Sequence, residues 1–172
     1  KTRSIKFDNF EVNKIFPDNS YELIEQFMAL LPEINIFNNK DKKFIQKNYN
    51  KILFNQNDVL QKIHIFKDIK FEMLHRDLHP HNILIYKDKA SLLDLESVLP
   101  TKWPIAYGFA CFKLLRQFCV KNQVNEKNVR LMRNFIDQIL GTLDTNLANY
   151  RILFLGAKVE ILRRILVIME EN

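Results

Sequence analysis

Apolar residues recur at steps of three and four through most of this chain, and only short stretches depart from that spacing. Leu23, Ile24, Phe27, Leu30 and Leu31 share one face and predict a helix over about 20–31. Pro17-Asp18-Asn19-Ser20 precedes it as a stop and restart, with Asn19 and Glu22 at capping-box spacing, and Pro32 ends it. A longer helix is expected from about 41 into the low sixties on Phe44, Ile45, Tyr49, Ile52, Leu53, Val59, Leu60 and Ile63. The polar quartet Asn55-Gln56-Asn57-Asp58 is read as a break within it.

Three more helices follow the same logic. One covers about 104–120, opened by Trp103-Pro104 and striped by Ile105, Phe109, Phe112, Leu115, Phe118 and Cys119. Another covers about 125–140 and ends at Gly141. The last covers about 145–171, with Leu147, Tyr150, Phe154, Ala157, Ile161, Ile165 and Ile168 at helical steps. The first 16 residues alternate charged and apolar side chains, with a period that fits a strand or an irregular segment equally.

Between the second and third helices the period changes. Short apolar runs at 83–86 and 90–95 flank Lys87-Asp88-Lys89 and predict a small β-hairpin, and Leu99-Pro100 closes the β region. The fold class is therefore α+β, mainly α-helical, in one domain spanning 1–172. Composition agrees: 47% hydrophobic residues in 172 are enough for a sizeable core. Only three glycines occur, Gly108, Gly141 and Gly156. That scarcity favours helix and leaves no glycine-rich phosphate loop of the G-x-G-x-x-G kind.

Charge changes the picture little. A formal net charge of +6 comes with no arginine cluster and no basic motif interleaved with aromatics, so it reads as solvated lysine-rich faces, with no nucleic-acid partner expected. Cys111 and Cys119, eight residues apart on one expected helix, are about 12 Å apart along the axis and cannot bridge. They read as buried thiols in a reducing compartment. No 18-residue apolar run or signal peptide is seen, so no membrane partner and a cytoplasmic location are expected.

The chemistry is concentrated in 71–96. Residues 75–82 read His75-Arg76-Asp77-Leu78-His79-Pro80-His81-Asn82, which contains H-x-D-x-x-x-x-N. Phosphoryl transfer needs a carboxylate to orient the attacking hydroxyl and take its proton, together with oxygen ligands that hold magnesium against phosphate. Asp77 is the candidate for the first task. Asn82 and Asp94 are candidates for the second, since an amide oxygen and a carboxylate suit a hard cation, and folding the hairpin back brings Asp94 beside Asn82.

On these residues the stretch resembles the catalytic core of the aminoglycoside phosphotransferase and choline kinase group, small-molecule kinases related to protein kinases. Leu78, His79, Pro80, Asn82 and Asp94-Leu95-Glu96 match that pattern, while Arg76 and His81 stand where glycine is usual. Arg76 is the protein-kinase choice, but Asp-Phe-Gly and Ala-Pro-Glu elements are absent. The resemblance implies a kinase-like C-terminal lobe, with ATP as donor, magnesium as cofactor and a small-molecule hydroxyl as acceptor. The chain begins at Lys1 and is read as a fragment whose nucleotide-covering N-terminal lobe lies upstream. The resemblance also implies that His75 braces the loop backbone. In the family an aspartate often follows a tyrosine in the next helix and ties it to the loop; here the pair is Tyr107-Gly108.

Further roles come with competing readings. Glu96 either supports the metal ligands from behind or is a surface charge. Lys102 and Arg116 either meet phosphate or are solvated. Trp103 and Tyr107 follow the acidic element, where an aromatic face receives a cationic substrate, or they belong to the core. A metal-dependent hydrolase is an alternative, because His75, Asp77, His79 and His81 at alternate positions of an extended segment would present zinc or iron ligands to one side. A catalytically silent kinase-like binding module is a third reading.

Overall fold

The computed structural model describes residues 20–34, 37–122 and 124–170. The alternation of residues 1–16 and the Asn19 cap lie outside them. The chain divides into two compact units, one of Lys1–Lys67 with Ile161–Asn172 and the other of Asp68–Glu160.

The first unit holds α1 (Ser20–Leu30) and α2 (Asn39–Lys62). Ile24, Phe27, Leu31, Val59 and Phe66 are among its buried side chains, and Phe27 meets Phe37 edge to face at 6.1 Å. Asn38 caps α2, its side chain accepting from the Lys40 and Asp41 amides at 2.9 and 3.0 Å. The expected break at 55–58 does not occur, because three of the four polar residues find a partner compatible with helix. Asn55 donates back to the Lys51 carbonyl, Gln56 is fully buried and donates to Ser20 Oγ at 2.7 Å, and Asp58 pairs with Lys62 one turn on.

The second unit is α+β. Strand β1 (Phe71–His75) pairs antiparallel with β4 (Val98–Lys102), from Phe71 opposite Lys102 to His75 opposite Val98. The two-residue connection Lys87-Asp88, with Lys87 at φ 53°, turns β2 (Ile83–Tyr86) into β3 (Lys89–Leu92). Strand β4 runs through the Pro100 that was expected to end the β region. Arg76 donates to the Ser97 carbonyl, so hydrogen-bonded pairs alternate along the ribbon and Pro100 opposite Met73 falls at a position needing no amide hydrogen.

Helix α3 (Trp103–Lys121) starts at the end of β4, and α4 (Glu126–Gly141) follows, capped by Asn125 accepting from the Asn128 amide. Gly141 is the last residue of α4, and Thr142 closes the helix through its hydroxyl to the Ile139 carbonyl. Helix α5 (Tyr150–Glu170) begins five residues later than expected, because Asn149 Oδ1 accepts the Ile152 amide and so caps it there. Helices α3 and α5 touch backbone to backbone. A Cβ on Gly108 would lie 2.2 Å from the Leu153 carbonyl oxygen, and one on Gly156 would lie 1.9 Å from that of Pro104. Cys111 is buried, which pushes its thiol up to about 11, whereas Cys119 is exposed, contrary to the expectation that both are buried.

Candidate functional site

The loop after β1 is pinned at every turn. His75, 8% exposed, uses both ring nitrogens on backbone: Nδ1 accepts the Asp77 amide at 3.2 Å, so Nε2 carries the proton and donates to the Leu93 carbonyl at 2.9 Å. Asn82 donates its side-chain amide to the Asp77 carbonyl at 3.0 Å, and its own carbonyl accepts the Leu93 amide at 2.9 Å. Leu93 is thus stitched to β1 through His75 and to the loop through Asn82. Its neighbour Asp94 is thereby carried back to the mouth of the hairpin beside Asn82.

Asp94 sits at φ 56°, ψ 53°, a left-handed conformation that is unfavourable for a residue with a side chain and persists only where surroundings enforce it. Ser97 supplies that enforcement, its amide donating to the Asp94 carbonyl and its hydroxyl to Oδ2 at 2.6 Å. The remaining carboxylate oxygen of Asp94 and Oδ1 of Asn82 are both oxygen donors, which fit a hard cation that keeps most of its shell as water and phosphate oxygens. Among the described residues no three His, Cys, Asp or Glu side chains converge as a ligand set. His75 in particular has both nitrogens on backbone, and His79 spends Nδ1 on the His81 amide at 3.3 Å.

Asp77 is surrounded by cationic or ionisable groups. Lys113 of α3 lies 2.5 Å from Oδ1, and His79 Nε2 lies 3.6 Å from Oδ2. Burial, then the Lys113 charge, hold the His79 pKa below its ordinary value against the opposing pull of Asp77. Arg76 reaches α5 and pairs with Glu160 at 2.7 Å; the Glu160 side chain is 1% exposed. With Gly108 packed against α5, this ion pair ties the loop to a helix where no aspartate is available on α3.

The other sequence candidates fall elsewhere. Trp103 is 4% exposed and directly follows Lys102, the partner of Phe71, at the end of the β1–β4 ribbon remote from Asp77, with the whole length of β1, roughly 14 Å, between. Tyr107, half-buried one turn on, has its pKa raised by burial and then by Glu72. Lys102 is 3% exposed over the Phe71 ring at 4.7 Å, its pKa lowered by burial against the pull of Asp68. These three serve the packing of that end. Arg116 and Glu96 are exposed.

Sequence reasoning missed Lys113 and Glu160. A signal existed for each: Lys113 is the first charge after ten uncharged residues of α3, and Glu160 is the one acid among residues 150–169. Comparison with family models, curated proteins and solved structures finds no match to this chain.

Proposed function

We propose that the chain carries the catalytic-loop lobe of a kinase-like phosphotransferase, which moves the γ-phosphoryl group of ATP to a hydroxyl of a small molecule. The observation that carries this reading is the double stitch of Leu93, which brings Asp94 alongside the loop that bears Asp77 and Asn82. The acceptor hydroxyl donates to the Asp77 carboxylate and yields its proton there as the new oxygen–phosphorus bond forms and ADP leaves. Asn82 and Asp94 would hold magnesium, whose chemistry is to neutralise phosphate charge. Asp94-Leu95-Glu96 in place of Asp-Phe-Gly favours a small molecule over a protein acceptor, and the basic balance disfavours polycationic aminoglycosides among such acceptors. A cytoplasmic, reducing location goes with this reading; among the described residues no helix is long and apolar enough to cross a membrane.

The test is magnesium-dependent ATP turnover by the full-length gene product across a panel of small alcohols. Asp77→Asn is expected to lower kcat by about 100-fold or more with nucleotide affinity retained. Asp94→Ala is expected to weaken magnesium-dependent nucleotide binding. Turnover no faster in wild type than in Asp77→Ala would sink the proposal. The reading also assigns the nucleotide cover to sequence outside these 172 residues, so the isolated chain should bind magnesium–ATP weakly by calorimetry.

A further inference from the structure

The backbone of Asp77 is held without any help from α3, since its amide is taken by His75 Nδ1 and its carbonyl by Asn82 Nδ2. What those bonds leave undetermined is the rotation of the carboxylate. Lys113 fixes it: the ammonium meets Oδ1 at 2.5 Å and lies 5.1 Å from the Phe109 ring centroid, so that ring limits its own freedom. The Lys113 side chain is 21% exposed, and in that partly desolvated position its charge is matched by the Asp77 carboxylate.

We propose that Lys113 is a positioning residue for Asp77, clamping Oδ1 so that Oδ2, beside the His79 ring, is the oxygen presented to the acceptor hydroxyl. The inference rests on the phosphotransferase reading and adds to it the face from which the acceptor approaches. A base must be aimed within a fraction of an ångström, and misplacement by about 1 Å can cost on the order of 100-fold in rate.

The experiment uses the full-length gene product with whichever alcohol the panel identifies, and compares Lys113→Met and Lys113→Arg, each alone and combined with Asp77→Asn. Lys113→Met should lower kcat about 10- to 100-fold, while KM for ATP and for the acceptor stay within about 3-fold. Lys113→Arg, which keeps the charge, should recover most of the loss. In the Asp77→Asn background the Met substitution should cost nothing further, because Lys113 acts only through that carboxylate. A melting temperature for each variant separates misfolding from misplacement. Two results overturn the positioning role while leaving the phosphotransferase reading intact: wild-type kcat in Lys113→Met, or the same loss in the Asp77→Asn background. A wild type no faster than Asp77→Ala overturns that reading, and this inference with it.

Discussion

The two small sheets of the second unit are built in opposite ways. The β1–β4 ribbon is continuous with α3 and buries His75, Thr101 and Lys102, while the β2–β3 hairpin leaves Leu84, Ile85, Tyr86 and Leu92 exposed. Asp77 hangs from the first and Asp94 from the second. The Asp77 side of the candidate site is therefore fixed by helices α3 and α5 through Lys113 and Arg76–Glu160. The Asp94 side is held, among the described residues, by the Leu93 bonds to His75 and Asn82 and by Ser97. An isolated hairpin is marginal in water, so the second sheet depends on its hydrogen bonds to the first.

That contrast is most severely tested at Glu160. Replacing it with Ala leaves Arg76 without its carboxylate in a site where Arg76 Nε already has no hydrogen-bond partner, and should cost about 3–5 kcal/mol in urea denaturation. An unaltered midpoint would show that the ion pair does not brace the loop. Next comes Gly156→Ala, whose new Cβ meets the Pro104 carbonyl, backbone that cannot step aside. A loss of about 1–3 kcal/mol is expected, from forcing α3 and α5 apart. The hairpin should behave differently. Ile85 is 73% exposed, so Ile85→Thr should change stability by under about 0.5 kcal/mol; a larger loss would mean that the hairpin face is covered.

How much of this was legible in the sequence follows from the range of the interactions involved. The hairpin and the bodies of the helices of the second unit are written in local spacing, and the loop motif lies within eight consecutive residues. The continuity of α2 was not legible, because it depends on Gln56 meeting Ser20, 36 positions away. Strand β4 was obscured by Pro100, a residue tolerated only because of the register that β1 imposes. Lys113 and Glu160 are 36 and 84 positions from their partners, so periodicity could mark them as odd charges in apolar helices but could not pair them. The two readings of Trp103 and Tyr107, substrate contact or core, could not be separated for the complementary reason: they are near Asp94 in sequence, yet α3 starts at the other end of the ribbon.

The finest test of the comparison is electrostatic and concerns His79, on the rigid side. Its folded pKa is below the ordinary 6.5, through burial first and Lys113 second. As pH falls through that ordinary value, the unfolded chain takes up the proton before the folded chain does, so stability is lost as the solution becomes more acidic. Between about pH 7.5 and about pH 5.5, wild type should therefore lose more stability than His79→Gln, in magnesium-free buffer, with the other histidines common to both. Lys113→Met should shrink that difference, because it removes the foremost of the charges that depress the pKa, ahead of His81 and His75, while Ile85→Thr on the hairpin should leave it untouched. Equal slopes for wild type and His79→Gln would mean that the ring is solvated like an ordinary surface histidine, and that the Lys113–Asp77–His79 cluster is looser than the β1–β4 ribbon that carries it.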